Sequence, residues 1–207
     1  MLKPKGFDAA ERQGDYLKLP AGGYICQIVS VQETTSQSTG KPMIKIALDI
    51  ADGSQYQNYY RNIFNKRKKD NPDAKWPCIS NVVTINDEGF TSGAFKNFIE
   101  CVRESNGGWE PSWDDNFCNK LKAARVGVVF GEEEYEDREG KIRTSVKPGY
   151  GHFKNIQEIK EGAFNIPEKK TLDKPNKGYQ ATPGGGSSLD DEIPEGFTTI
   201  DESEIPF

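Results

Sequence analysis

The sequence predicts a mainly β domain with one helix, in which a small antiparallel sheet closes into a barrel, followed by a disordered C-terminal tail. Three observations predict it: five segments rich in β-forming residues, one amphipathic helix between the third and fourth of them, and a polar Gly/Pro-rich stretch behind the fifth. The order strand–strand–strand–helix–strand–strand is that of an OB-fold, a five-stranded Greek-key barrel. Another α+β domain with an antiparallel sheet fits the same order.

The first two strands have the clearest patterns. Residues 1–19 are polar and are expected to form an N-terminal arm, and the domain is expected to span residues 20–160. Residues 24–31 are apolar on both faces and rich in β-formers, as in a buried strand. After a polar hairpin loop, residues 43–50 alternate, with isoleucine or leucine at every second position. This period of two is typical of a half-buried strand.

A third strand is expected at about residues 55–63, because the Asp52-Gly53 dipeptide before it is typical of a hairpin turn. Residues 64–90 are expected to be irregular, since two prolines interrupt any helix there. The next segment begins with Thr91-Ser92, a suitable N-cap, and places apolar residues at i, i+3, i+4 and i+7 from Phe95. It is therefore predicted to form an amphipathic helix of about four turns.

The last two strands begin near Ala124 and Lys141, and both alternate. The acidic stretch between them, residues 131–140, is expected to be a hairpin connection. Behind the fifth strand, residues 161–188 are rich in Lys, Pro, Gly and Ser and are predicted to be a flexible linker. Residues 189–207 then form an acidic tail.

The charge of the chain is divided unevenly. The 207 residues contain 27 Lys and Arg against 32 Asp and Glu, which gives a net charge of −5. A net acidic chain usually argues against nucleic-acid binding. However, residues 189–207 hold seven acids and no base, so the first 188 residues carry 27 bases against 25 acids. The body of the protein is therefore close to neutral, and its local clusters decide what it binds.

The segment of residues 56–76 combines bases with rings. Single-stranded nucleic acid requires this mixture, because cations follow the phosphates while flat rings stack on unpaired bases. Its candidate contacts are Tyr56, Tyr59, Tyr60, Arg61, Phe64, Lys66, Arg67, Lys68, Lys69 and Trp76. The alternative is a solvated basic loop whose tyrosines pack against the barrel.

The fifth strand provides a second basic face. Side chains two residues apart share one face of a strand, so its cations project together. The candidate contacts on this strand and on the second one are Lys45, Lys141, Arg143, Lys147, Tyr150 and Phe153. An ordinary solvent-exposed face is the alternative, and the neighbouring acidic run would repel phosphate.

The chain end combines an acidic run with an apolar terminus. The candidate partner-binding residues are Asp201, Glu202, Glu204, Ile205, Pro206 and Phe207. Capture of an aromatic residue with a terminal carboxylate is a recurring mode of peptide recognition. A purely solubilising tail would account for the acids but not for the final Ile-Pro-Phe.

Acidic residues followed by Ile205-Pro206-Phe207, after a Gly/Pro-rich linker, resemble the tail of bacterial single-stranded DNA-binding proteins. In that family the tail recruits replication, repair and recombination proteins. Residues 19–24, 40–43 and 51–53 are similar to small phage proteins regarded as single-stranded DNA binders. Together these resemblances imply a phage or prophage protein located in the host cytoplasm.

The sequence therefore predicts a non-catalytic protein that binds single-stranded DNA without sequence preference and recruits replication or recombination proteins. It contains no phosphate-binding loop, no GxSxG and no HExxH. With one histidine and no CxxC pair, neither a metal nor another cofactor is expected, and the four cysteines are expected to be reduced. No membrane segment is expected, and a homo-oligomer is compatible with the sequence. The alternatives are a strand-annealing recombination protein and a protein-interaction adaptor that does not bind DNA.

Overall fold

The part of the protein that the structure describes is mainly β, with an antiparallel sheet and short helices. The structure, a computed structural model, describes Lys3, residues 17–137 and residues 139–172. Its strands are β1 (Gly22–Thr35), β2 (Pro42–Ile50), β3 (Ile79–Val83), β4 (Arg125–Glu136) and β5 (Ile142–Lys154). The described helices are α1 (Tyr59–Asp70), α2 (Gly93–Ser105), α3 (Phe117–Leu121) and α4 (Ile156–Glu161). The prediction of a mainly β protein with an antiparallel sheet is confirmed.

Strand β1 lies at the centre of the sheet, whose order is β3-β2-β1-β4-β5. Cys26 pairs with Ile50 of β2 on one side and with Val126 of β4 on the other. Paired residues share a face, so these three side chains are buried together in the core. The next position along β1 places Gln27 between Asp49 and Arg125 on the opposite face.

The sheet stays open where a closed barrel was expected. Among the described residues, the edge strands β3 and β5 share no backbone ladder. A side-chain hydrogen bond of 2.7 Å instead joins Ser80 Oγ on β3 to His152 Nε2 on β5. Pro148 has no N–H to donate to a further strand, which suits an edge position for β5. The gap between the edges is spanned by α2, where Asn97 Nδ2 donates to the carbonyl oxygen of Phe153 at 3.1 Å.

Helix α1 occupies the place of the predicted third strand, and the prediction of a strand at residues 55–63 is wrong. Tyr60, Ile63 and Phe64 lie at i, i+3 and i+4, a helical spacing that turns them towards the core. The cations of the last turn suit the negative end of the helix dipole. The third strand is β3 instead, within the stretch that was predicted to be irregular.

The predicted amphipathic helix is confirmed as α2. Ser92 Oγ accepts a hydrogen bond from Phe95 N at 3.1 Å, as a capping residue does. Phe98 is fully buried against Phe153, with the ring centroids 4.7 Å apart.

The acidic residues 131–140 do not form a hairpin connection along their whole length, as was predicted. Strand β4 continues to Glu136, and the turn follows that residue. Most of the acids therefore lie on a strand that faces β5.

The described chain remains packed on the sheet beyond residue 160, where the linker was predicted to begin. A side chain at Gly23 would lie 2.5 Å from the Phe164 ring, so this glycine allows the returning chain to approach closely. Lys170 then pairs with β4 through backbone hydrogen bonds to Glu132 and Glu134 of 2.9 and 2.8 Å. The folded part thus extends to at least residue 170. None of the helices in the described ranges has the length and apolar character of a membrane span.

Candidate nucleic-acid interface

Helix α1 begins against a buried carboxylate of the neighbouring strand. The N-cap residue Asn58 adopts a left-handed conformation with φ of 59°, and its side chain makes no capping hydrogen bond. Asp49 Oδ1 accepts hydrogen bonds instead, from the backbone N–H groups of Tyr60 at 3.0 Å and Arg61 at 3.4 Å. A residue of β2 thus provides the oxygen that an N-cap side chain normally provides.

The same carboxylate holds the first cation of α1. Asp49 Oδ2 lies 3.5 Å from Arg61 Nε, and the Asp49 side chain is only 2% exposed. Burial raises the pKa of Asp49, and the backbone hydrogen bonds from Tyr60 and Arg61 act in the opposite direction. Arg61, a predicted phosphate contact, therefore has an anionic partner within the protein.

Three of the predicted stacking rings are buried and cannot stack on bases, so that part of the prediction is wrong. Tyr60, Phe64 and Trp76 are 5%, 7% and 5% exposed. Trp76 Nε1 donates a hydrogen bond of 2.9 Å to the carbonyl oxygen of Leu48, and the Tyr60 ring stacks on Phe130 with centroids 6.1 Å apart. The apolar face of α1 needs these rings for the core, which the alternation of rings and bases in the sequence does not reveal.

Two of the predicted rings remain accessible, Tyr56 and Tyr59, at the start of α1. Both are half-buried and pack at the margin of the core. The Tyr56 ring makes T-shaped contacts with Tyr24 at 5.8 Å and with Tyr59 at 6.4 Å. Their positions are thus fixed by neighbouring rings while part of each ring faces solvent, as a stacking platform requires.

The remaining predicted cations of this segment lie along α1. Arg67 and Lys69 are exposed, and neither has a carboxylate within 4 Å in the described part of the chain. Lys66 is exposed as well, while Lys68 Nζ lies 5.5 Å from the centroid of the Phe64 ring. The helix contains five cations and one acid, Asp70, so its outer surface is strongly basic.

Lys45 lies apart from α1, in the sheet itself. It is half-buried on β2 and pairs with Gln32 of β1 and Asn81 of β3. Paired positions share a face, so these side chains form a polar row across three strands.

The predicted cations of β5 are paired with carboxylates inside the β4–β5 hairpin. Lys147 Nζ lies 3.2 Å from Glu133, Lys141 Nζ lies 2.7 Å from Glu139, and Arg143 pairs with Asp137. A phosphate would have to displace these anions, which weakens the prediction that this face binds DNA. Phe153 is buried at 3% exposure and cannot stack on a base, and the side chain of Tyr150 lies outside the described part of the structure.

A cleft with a volume of about 610 Å³ lies between the Asp52-Gly53 turn and α4. Its cations are Arg125, the first residue of β4, and Lys160. Sequence reasoning missed both, because they are isolated in the sequence and only the packing of α4 on the sheet brings them to one cleft.

A second groove, of about 470 Å³, is lined by Trp113 together with the carboxylates of Glu33, Asp114 and Asp115. Trp113 is 71% exposed and stacks on Phe117 with the ring planes 14° apart. The described lining contains acids and no Lys or Arg, so this groove is unsuited to a phosphate backbone.

The chain is similar to a known protein family over part of its length. Residues 5–83 match a family described as "Protein of unknown function (DUF669)". The match covers less than half of the chain and spans β1, β2, α1 and β3, while β4, β5 and α4 lie outside it. No curated protein sequence matches the chain. The predicted partner-binding residues of the tail, residues 201–207, lie outside the described residues.

Proposed function

We propose that this protein binds single-stranded DNA without sequence preference and has no catalytic role. The observation that supports this most is the surface of α1, where Arg67 and Lys69 have no carboxylate partner within 4 Å in the described chain and two accessible rings, Tyr56 and Tyr59, lie at the helix start. Cations beside rings provide phosphate contacts and base stacking at the same time.

The architecture supports an OB-type domain for this role. A five-stranded, partly open Greek-key barrel that carries nucleic acid on its outer surface is typical of that fold. The order β3-β2-β1-β4-β5, with α2 between the third and fourth strands and an open edge, is consistent with it.

The acidic tail gives the protein a second role in this proposal. Residues 201–207 resemble the recruiting tail of bacterial single-stranded DNA-binding proteins, so the DNA-bound protein would bring replication or recombination proteins to the strand. The setting that follows is the cytoplasm of a bacterial host. A protein-interaction adaptor is the second candidate, and the exposed Trp113 in its acidic groove favours it, since exposed tryptophans are common at binding hot spots.

The test is a titration of fluorescein-labelled oligo-dT with the full chain, followed by anisotropy at several salt concentrations. With about five phosphate contacts, log K is expected to fall with log salt at a slope of about −3.5. Arg67→Glu with Lys69→Glu should weaken binding at least about 10-fold and reduce the magnitude of the slope by about 1.4, because each lost contact removes about 0.7.

The matched control is Lys141→Glu with Lys147→Glu, the same change of charge on cations that carboxylates already neutralise. It should change the affinity less than about 3-fold. Absence of binding by the unmodified protein at low salt would refute DNA binding and leave the adaptor. Equal losses in the two double variants would refute α1 as the site.

Stacking is tested separately at the start of α1. Tyr56→Ala and Tyr59→Ala should each weaken oligo-dT binding by about 1–3 kcal/mol if the ring stacks on a base. Tyr56→Phe and Tyr59→Phe keep the rings and should bind as the unmodified protein does. If the alanine variants bind normally, the strand makes only phosphate contacts at this site.

A further inference from the structure

The cleft between the Asp52-Gly53 turn and α4 concentrates hydrogen-bond donors. Arg125 comes from the start of β4 and Lys160 from the last turn of α4. In the part of the chain that the structure describes, neither cation lies within 4 Å of a carboxylate. The hairpin cations differ, because each of them is paired.

Two neutral side chains in the cleft have their acceptor oxygens already engaged. Ser105 Oγ accepts a hydrogen bond of 3.1 Å from Ile156 N, and Gln57 Oε1 accepts one of 2.9 Å from Gly53 N. Ser105 keeps its hydroxyl proton to donate, and Gln57 keeps its amide N–H groups. The cleft therefore offers a guanidinium, an ammonium, an amide and a hydroxyl, a set of donors that suits the oxygens of a phosphate.

The remaining lining suits the other parts of a nucleotide. Ile25 and Ile156 provide apolar surface, against which a sugar or a base can pack. Asp52 adds a carboxylate that can accept a hydrogen bond from a hydroxyl or an amine but would repel a second phosphate. A volume of about 610 Å³ accommodates one nucleotide unit, since small-ligand pockets range from about 300 to 1,000 Å³.

The register of the sheet connects this cleft to the basic helix. Asp49, Gln27 and Arg125 lie side by side on β2, β1 and β4, and Arg61 of α1 pairs with Asp49. Neighbouring strands are about 4.8 Å apart, so the row from Asp49 to Arg125 is only about 10 Å long. Single-stranded DNA bound along α1 can therefore reach Arg125 across one face of the sheet.

We propose that this cleft is a phosphate-binding subsite in which Arg125 and Lys160 hold one phosphate, with the attached sugar or base against Ile25 and Ile156. The phosphate belongs to the single strand bound along α1, and in that respect the proposal rests on the proposed function. A free nucleotide offers the same chemistry, and the experiment separates the two sources.

The experiment compares the full chain with its double variant Arg125→Ala/Lys160→Ala, using labelled oligo-dT and, separately, thymidine monophosphate as probes. The control is Lys18→Ala/Lys120→Ala, which removes two exposed cations outside the cleft. Oligo-dT affinity should fall about 10-fold in the cleft variant and less than 2-fold in the control, with the magnitude of the salt slope reduced by about 0.7, because one phosphate contact is lost. Unchanged thermal melting of both variants verifies that the fold is retained.

The outcomes distinguish the two proposals. If the cleft variant binds both probes as the control does, the subsite is refuted, even where the unmodified protein binds oligo-dT well. A selective loss of oligo-dT binding supports a subsite for the strand. A third outcome is that the unmodified protein binds thymidine monophosphate but no oligo-dT, and that the cleft variant no longer binds the mononucleotide. The cleft would then be a site for a free nucleotide, and the proposed function would be refuted.

Discussion

Helix α1 and the β4–β5 hairpin contain similar runs of cations near aromatic residues, yet Arg67 and Lys69 of α1 have surroundings unlike those of the hairpin cations. Arg67 and Lys69 extend from α1 with no carboxylate within 4 Å in the described chain, whereas Lys141, Arg143 and Lys147 are all paired with acids of the same hairpin. The availability of a cation thus depends on what the neighbouring element places beside it. The solvent-facing side of α1 leaves Arg67 and Lys69 without a carboxylate neighbour, while a strand paired with an acidic strand places one beside each of its cations.

The same contrast extends to the two aspartates that organise these regions. Asp49 and Asp137 each accept backbone N–H groups and pair with an arginine. Burial raises the pKa of Asp49, while the hydrogen bond from Arg143 holds the pKa of Asp137 below its usual value. The Asp49 side chain is 2% exposed and costly both to bury and to remove, whereas Asp137 lies nearer the surface, at 17% exposure, and both costs are smaller there.

The largest effect is expected from Asp49→Ala. It removes the acceptor of two N–H groups at the start of α1 and the carboxylate that pairs with Arg61, so the free energy of unfolding should fall by about 3 kcal/mol. Oligo-dT binding should weaken too, because the cations of α1 lose their fixed positions. Urea denaturation and anisotropy measure the two effects.

Two variants sharpen this comparison. Asp49→Asn keeps an acceptor oxygen for the backbone and loses only the charge, so it should be less destabilising than Asp49→Ala. Asp137→Ala removes the corresponding acceptor of the hairpin turn and should lower stability less than either. If Asp137→Ala were as destabilising as Asp49→Ala, burial would not be what separates the two regions.

An intermediate effect is expected from His152 of β5, which should make the stability of the protein depend on pH. Burial lowers the pKa of His152 to about 4. The unfolded chain therefore binds a proton near pH 6.5 that the folded protein takes up only near pH 4. The stability contributed by neutral His152 is complete above pH 6.5 and is lost as the pH falls towards 4, with a loss of about 2.5 kcal/mol between pH 7.5 and 4.5.

Urea denaturation at pH 7.5 and 4.5 measures this loss. The lowered pKa of Asp137 keeps that carboxylate ionised throughout this range, so the hairpin turn should contribute little to the change. In His152→Gln, which keeps a polar group beside Ser80, the dependence on pH should shrink. A variant that still loses the same stability between the two pH values would contradict the assignment.

Sequence patterns predicted elements whose determinants are local and missed those that depend on distant partners. Helix α2 has its Ser92 cap and its apolar period within one segment, and β2 has its alternation within nine residues, so both were predictable. Helix α1 was mistaken for a strand because its tyrosines favour strands and its capping oxygen comes from Asp49 on another element.

The candidate site follows the same rule. Its cations on α1 were found because they are consecutive in the sequence. The burial of Trp76 and the neutralisation of Lys147 could not be predicted in this way, because each depends on a contact with a strand elsewhere in the sequence. The cleft formed by Arg125 and Lys160 has no sequence signal at all, because it exists only through the packing of α4 on the sheet.

The smallest effect is expected from Arg143→Ala in the hairpin. Arg143 is 55% exposed, so salt screens its attraction to Asp137 and the melting temperature should hardly change. Oligo-dT affinity should also stay constant, because a neutralised arginine has little charge to offer a phosphate. Melting curves at low and high salt measure this effect. Arg61→Ala serves as the comparison, because its partner Asp49 is buried. A clear loss of DNA affinity in Arg143→Ala would mean that phosphate displaces Asp137, and the hairpin would then belong to the interface alongside α1.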